Sequence, residues 1–479
     1  MRVGVFSLGP VFPRHVHGGS QRTLVAVVRH LAAAGHQCDI YCTRRDDNFQ
    51  PFELAPGARV HPILPFKQTF PEPYYTAPYH LASIARTLRT AATSAEVFYM
   101  HDSELVLSAV YDDVAAVSGV QDFVYPTTLE GVFAFRGRQL IAISGYVGAC
   151  MAATLPYPAG SDAPSVQVVP NGFDVTAFSP VDPSALASEL GLRPDWLPIL
   201  FPHRPDPRKG LVQAISVIDA LRAHLPADLH ARLRLLVPRW VDSDLVGDDS
   251  GHEYQTLYGA AQQRAADLGL GSLLHLHPWV PADRMPEYYS LGAATLCIGN
   301  FVEAFGNVSV ESQLCGTPAI VSRVGAQRTV IPDELIAKVD YGDIGACAEA
   351  LAKILLADAQ FDRARFSEFV QTAYSEAATV AGYQEVLSEA AAGRSSGTPL
   401  GQSAGPGGYA IPPWCALTSS GYYSDYLYGY ADEPELESLL RTASAAGPAR
   451  EAPLSKVAQW AAQGLLVPAV GQPAAIFHR

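Results

Sequence analysis

At 479 residues the chain exceeds one typical domain, so two large domains and a small third are expected. A hydrophobic share of 48% with 17% charged residues fits a globular protein with ample core and excludes a disordered one. The formal net charge of −14 argues against a general nucleic-acid binder, which would present a basic surface, and weakens the case for docking on anionic lipid.

The opening residues MRVGVFSLGP hold too short an apolar run for a signal peptide and read as a first strand. No run approaches the roughly 18 apolar residues of a membrane span. After a Pro/Gly-rich loop, SQRTLVAVVRHLAAAG reads as a helix, with Ser20 as cap, Gly35 as stop, and Leu24, Val27, Val28 and Leu31 at helical spacing. QCDIYCT, EVFYMH, QLIAIS and VQVVPN are further strands. Strands alternating with helices imply a parallel, doubly wound sheet. The rhythm restarts at WLPILFPH and continues through RLRLLVP, SLLHLHP, AATLCIG and TPAIVS, which predicts a second α/β domain. FDRARFSEFVQTAYSEAATVAGYQEVLSEAA reads as one long closing helix. A Gly/Ser/Pro-rich stretch then reads as a linker. The expected organisation is residues 1–178 and 179–392 as two α/β domains, 393–411 as linker and 412–479 as a small, mostly helical appendage opened by the cluster GYYSDYLYGY. The seven cysteines, Cys38, Cys42, Cys150, Cys297, Cys315, Cys347 and Cys415, lack framework spacing, which predicts reduced thiols in a cytoplasmic protein.

Three loops at predicted strand ends carry chemistry, where open α/β sheets place their sites. His17-Gly18-Gly19-Ser20 leads from the first strand into a helix. Glycine there lets backbone approach a phosphate, and the helix start offers N–H groups and partial positive charge. The loop is not G-x-G-x-x-G, and no G-x-x-x-x-G-K-[ST] occurs, so nicotinamide and P-loop sites are disfavoured. HRPDPRKG, with Arg204, Arg208 and Lys209, suits a clamp on a diphosphate, because a guanidinium fork and an ammonium both match phosphate oxygens. FVEAFGNVSVE places Glu303 in a strand-to-helix loop and Glu311 in the first turns of the helix after Gly306. An acid on each side of the N–H groups of Gly306, Asn307 and Val308 would accept hydroxyls on either side of a phosphate.

In combination these segments resemble the retaining glycosyltransferases of family 4, over roughly residues 1–392. Glu303 and Glu311 match the E-x7-E signature within EAFGNVSVESQLCGTPAIVS, and Arg204 and Lys209 match an R-x4-K-G phosphate clamp. VVPNGFDVTAFSP matches the Pro-Asn-Gly entry to the second domain, IAISGYV the strand ending in serine, and Gly18 and Gly19 the N-terminal glycine loop.

The resemblance implies a GT-B fold, two Rossmann-like domains facing a cleft, with acceptor on the first domain and nucleotide diphosphate sugar on the second. UDP or GDP is the expected carrier, and no cofactor and no metal are expected, since Arg204 and Lys209 neutralise the diphosphate. It implies Glu303 at the sugar, Glu311 at the ribose, and backbone N–H groups of Phe305, Gly306, Asn307 and Val308 at the diphosphate. A histidine near the transferred sugar is placed at His101, because GVQDFVYP has glutamine where the family often has Thr-x-His-Asp. His15 and His17 are further acceptor-side candidates. The expected activity is sugar transfer to a small soluble acceptor, in bacterial natural-product biosynthesis, by a cytoplasmic enzyme without membrane or nucleic-acid partners. A homodimer contact or an acceptor lining is the expectation for the tyrosine cluster. The alternatives are a cell-envelope or non-glycosidic linkage, sugar-nucleotide epimerisation, and a non-enzymatic scaffold.

Overall fold

The computed structural model of the protein describes residues 1–14, 16, 18–67, 72–155, 164–239, 248–356, 361–400, 408–446 and 453–468. His15, His17 and much of the expected linker lie outside them.

The first half supplies β1 (Arg2–Ser7), β2 (Gln37–Thr43), β3 (Phe52–Ala55), β4 (Ala58–Leu64), β5 (Val97–Met100), β6 (Ala116–Val120), β7 (Gln139–Ala142) and β8 (Ser165–Val168). With β15 (Thr398–Pro399) they form one sheet in the order β15-β8-β7-β6-β5-β1-β2-β4-β3. β1, β5, β6 and β7 are buried almost throughout, as strands covered on both faces must be. β6 escapes a sequence reading because AVSGV is broken by Ser118 and Gly119. Its glycine is required: a Cβ there would lie 2.6 Å from the Tyr99 hydroxyl. β15 falls within the expected linker and pairs antiparallel with β8, through Thr398 opposite Val166 and Pro399 opposite Ser165.

The second sheet comprises β9 (Leu197–Leu200), β10 (Leu233–Arg239), β11 (Leu274–Pro278), β12 (Ala294–Cys297), β13 (Ala319–Ser322) and β14 (Ala337–Val339), all parallel, in the order β11-β10-β9-β12-β13-β14. Strand order reverses between β1 and β5 in the first sheet and between β9 and β12 in the second. Ligands of such sheets bind outside the carboxyl ends at these switch points. The glycine loop follows β1, His101 ends β5, the HRPDPRKG loop follows β9, and the Glu303 loop follows β12.

The closing segment is two helices, Arg363–Ala373 and Glu376–Ala391, rather than one. The break at Tyr374 and Ser375 arises where the chain crosses between domains: Phe173 N–H donates to Tyr374 O (2.8 Å) and Glu376 N–H to Phe173 O (3.2 Å). The second helix returns to the first domain, burying Val380, Tyr383, Val386, Leu387 and Ala390 against Val3, Val5, Leu24 and Val28.

Among its described residues the C-terminal segment is not mostly helical but mixes short strands with its helices. It contains β16 (Tyr409–Ala410) paired with β20 (Val467–Pro468), and a three-stranded antiparallel sheet of β17 (Cys415–Thr418), β18 (Gly421–Ser424) and β19 (Gly429–Tyr430). Helices Pro434–Ala446 and Leu454–Ala462 complete it. The cluster GYYSDYLYGY is β18, the turn after it and β19, and alternation around Ser419-Ser420-Gly421 is a hairpin signal that the aromatic density masks. Among the described residues no helix is long and apolar enough to cross a membrane.

Candidate active site

The HRPDPRKG loop is shaped by its own side chains. Asp206 accepts the Arg208 N–H (2.8 Å) and pairs with its guanidinium (2.7 Å), closing the turn Pro207–Lys209. Gly210 follows at φ +90°, and a Cβ there would lie 2.9 Å from Gly299 Cα, so only glycine lets the two loops pass. The same approach places Arg208 O 2.9 Å from the donating Phe301 N–H. Lys209 Nζ consequently meets Glu303 Oε1 at 2.6 Å and lies 3.5 Å from the Phe301 ring centre. His203, at the loop's start, is buried and donates from Nε2 to Leu296 O (2.9 Å). Burial, with the nearby Lys209 charge, lowers its pKa to about 4, so it is neutral.

Glu303 is held from behind by Ala326 N–H, which donates to its carbonyl oxygen at 2.8 Å. Gly306 enters the helix Asn307–Leu314 at φ +97°. Phe305 is buried against Phe173 and Tyr374, at ring separations of 5.8 and 5.1 Å, so its side chain is core and only its backbone remains for a ligand. Asn307 Oδ1 accepts from Asn171 (3.3 Å), which explains the Pro-Asn-Gly segment beside this loop.

The first domain closes on these groups. Ser144 donates from Oγ to Ala304 O (2.6 Å) while capping the helix Gly145–Thr154. A Cβ on Gly18 would lie 2.6 Å from Arg204 Nη2, and one on Gly19 would lie 2.5 Å from Asn307 Nδ2. The glycine loop therefore faces the clamp arginine and the start of the Asn307–Leu314 helix directly. Glu311, buried in that helix, accepts from Tyr289 Oη (2.9 Å) and from Arg22 Nη2 of the helix Gly18–Ala33. Burial alone would lower the Arg22 pKa, but the Glu311 carboxylate holds it above its ordinary value.

His101 does not reach this cleft. It is completely buried, its Nε2 donates to Ser20 O (2.9 Å), and its Nδ1 accepts from Tyr99 Oη (2.8 Å). With both nitrogens engaged it orients Ser20 and offers no face to a sugar. Gln121 is likewise enclosed, donating to Tyr383 Oη at 3.0 Å. Next after His101 comes the part-buried Asp102, at φ +66°, which accepts from Ser20 Oγ (2.6 Å). Asp122 lies close by, but its oxygens accept from Val124 N–H (3.0 Å), Tyr125 N–H (3.1 Å) and Thr128 Oγ (3.1 Å) at the start of the next helix. Burial raises Asp122 to about 6, and burial followed by the charges of Asp102 and Asp122 raises Glu104 well above its usual range.

The structure thus brings together Gly18, Gly19, Arg204, Lys209, Glu303, Gly306, Asn307 and Glu311, and leaves His101 behind them. Arg22, Tyr289 and Asp102 were not singled out in the sequence, because a tertiary partner on another element carries no local signature.

A sequence model described as Glycosyltransferase Family 4 matches residues 17–177, and one described as Glycosyl transferases group 1 matches residues 188–371. The D-inositol 3-phosphate glycosyltransferase of Acidothermus cellulolyticus is 29% identical over 364 residues, spanning 71% of this chain and 78% of that protein. A namesake from Geodermatophilus obscurus is 31% identical over 262 residues, 53% of each chain. Among solved structures, sucrose-phosphate synthase from Thermosynechococcus elongatus superposes with a TM-score of 0.63 at 20% identity, over 82% of this chain and 99% of that one. Anabaena HepE in complex with UDP and glucose does so at 0.61 and 17% identity, over 81% and 99%. The two facing sheets are the GT-B fold, and the chain belongs to the family 4, group 1 glycosyltransferases.

Proposed function

We propose that this glycosyltransferase moves a sugar from a nucleotide diphosphate sugar to a hydroxyl of a small soluble acceptor, with retention at the anomeric carbon. The observation that carries the reading is the Lys209–Glu303 contact of 2.6 Å, set beside Arg204 and the glycine-started helix of Asn307. Arg204, Lys209 and the N–H groups after Gly306 would hold the diphosphate and take up its charge as the sugar leaves, in place of a divalent cation. Glu303 would accept sugar hydroxyls and Glu311 those of the ribose. The bond between anomeric carbon and phosphate oxygen breaks, and the acceptor oxygen bonds to the same face. The departing phosphate oxygen takes the acceptor proton, so no protein nucleophile is needed. HepE was solved with UDP and with UDP-glucose, which supports a uridine carrier.

Relatives are named for D-inositol 3-phosphate, an anionic acceptor. Here the part-buried Asp102 stands at the end of β5 beside Ser20, and a carboxylate there would disfavour an acceptor phosphate and favour a neutral or amine-bearing polyol. That acceptor class fits natural-product assembly. Thermal shifts with UDP, GDP, ADP and TDP, followed by turnover of the matching sugar nucleotide with inositol, inositol phosphate and aminocyclitol acceptors, test the reading. Proton coupling at the anomeric carbon reports retention, and EDTA reports metal dependence. No shift with any of the four nucleotides would remove the donor assignment.

A further inference from the structure

The C-terminal segment beyond residue 408 lies outside both family matches, yet one of its turns sits on the transferase loops. Asp425 ends the β17–β18 hairpin and is completely buried. It accepts from Tyr146 Oη of the first domain (2.7 Å), and from Gly325 N–H (3.0 Å) and Arg328 Nη1 (2.9 Å) of the second. Gly325 is pressed on Glu303: a Cβ on it would lie 2.6 Å from Glu303 O, and the next residue, Ala326, donates to that oxygen.

Three residues later the chain returns to the same loop from its other side. Tyr428, a non-glycine residue at φ +54°, accepts through its carbonyl oxygen from Asn300 Nδ2 (2.7 Å). Its ring lies 5.5 Å from the Arg208 guanidinium, which also packs on the Phe301 ring at 5.0 Å and pairs with Asp206. Arg208 Nη1 points at the Tyr428 hydroxyl, at 3.4 Å. Arg208 and Phe301 are the residues adjoining Lys209 and leading to Glu303, and they are joined by the Phe301 N–H to Arg208 O bond. The cluster's other four tyrosines are turned into the same chain: Tyr422 donates to Leu465 O (2.7 Å), Tyr426 to Phe123 O (3.3 Å) and Tyr430 to Tyr341 O (2.9 Å), while Tyr423 packs its ring on Tyr341 and Tyr430.

We infer that the turn Asp425 to Tyr428 is a working part of the transferase site, in which Tyr428 is a positioning residue for Lys209 and Glu303. A left-handed tyrosine costs conformational energy, and such strain persists where surrounding contacts over-determine it, as Asn300 and Arg208 do here. Asp425 fixes the loop behind Glu303, Tyr428 fixes the loop before it and the clamp beside it, and the two together set the Lys209-to-Glu303 separation. The inference takes Lys209 and Glu303 as donor-binding groups, and so rests on the proposed function.

The test compares Tyr428→Gly, which suits the left-handed backbone and removes the ring, with Tyr428→Phe, which keeps the ring. Hydrogen exchange of the full chain without ligand needs no donor assignment. Residues 206–210 and 299–304 should exchange about tenfold faster in Tyr428→Gly but not in Tyr428→Phe, with β1 and β5 unchanged. With UDP-glucose as the probe, kcat should fall about 10- to 100-fold in Tyr428→Gly, the scale of a small misplacement of reacting groups, while KM stays within about threefold. Unchanged exchange in both loops overturns the inference, whether kcat is kept, which makes the tyrosine a passive cover, or lost, which makes it a direct substrate contact. Faster exchange without UDP-glucose turnover by the wild type upholds the bracing and counts only against UDP-glucose as the donor.

Discussion

Arg22 of the first domain donates to Glu311 of the second, so the glutamate expected to hold a ribose is already engaged across the cleft. Its other oxygen takes the Tyr289 hydroxyl at 2.9 Å. Removing Arg22 leaves a buried carboxylate with a single neutral donor. Arg22→Ala should lower stability by about 1.5–3 kcal/mol, the worth of a hydrogen bond to a charged group. Ribose hydroxyls would then meet no competitor, so the rise in melting temperature with UDP should be larger in Arg22→Ala than in the wild type. Equal nucleotide-induced shifts would mean that Arg22 and the ribose do not share Glu311.

The Lys209–Glu303 pair divides two roles that substitution can separate. Both side chains are partly exposed, at 16% and 22%, so the pair itself adds little to stability. Lys209→Ala should weaken UDP binding measured by calorimetry and lower turnover. Glu303→Ala should retain UDP binding and lower turnover by about 100-fold or more, the range seen when a transition-state charge partner is lost. If Glu303→Ala turns over at the wild-type rate, the glutamate is not at the reacting sugar.

Gly210 and Gly35 isolate the effect of close packing from that of backbone conformation. Both have left-handed φ, +90° and +82°, but nothing lies within 4 Å of a Cβ at Gly35, whereas Gly299 Cα lies 2.9 Å from one at Gly210. Gly35→Ala should cost about 1–2 kcal/mol and leave activity intact. Gly210→Ala should cost more in denaturant unfolding and abolish transfer, because the loop that presents Lys209 must move away from β12. Comparable losses in the two variants would show that the loops do not need this approach.

His203 makes a pH-dependent contribution of definite sign. The unfolded imidazole takes a proton near pH 6.5, and the folded one only at about 4. Stability from the neutral, buried ring is therefore complete above pH 6.5 and is lost as pH falls toward 4, by up to about 1.4 kcal/mol per unit. Against a His203→Gln variant, the wild type should lose its stability advantage between pH 7 and 4.5 in urea titrations. A constant difference would show that the histidine titrates normally.

The clamp and the two glutamates were readable from sequence because their chemistry leaves little choice of residue. Phosphate contact calls for Arg or Lys, hydroxyl contact for carboxylate, and close backbone passage for glycine, all at strand ends. What was not readable depends on distant elements. His101 stands where a strand-end histidine would be expected to act, but Tyr99 and Ser20, on two different elements, enclose it. β6 is apolar only in part, since Gly119 makes room for Tyr99. The break at Tyr374 and Ser375 is set by the distant backbone of Phe173, and helix propensity on either side gives no sign of it. The tyrosines of the C-terminal segment were visible as a group, while their partners Arg208, Asn300 and Phe123 were not.

The pairing of Thr398 and Pro399 with β8 has a consequence for solubility. Without β15 the nine-stranded sheet would end at β8, whose open margin would offer unpaired N–H and C=O groups to any passing strand. The strand that covers it is two residues long and ends in proline, which has no N–H to extend the ladder. A protein cut after residue 392, at the natural end of the second domain's returning helix, would bare that margin. It would be expected to self-associate edge to edge even with both sheets correctly folded.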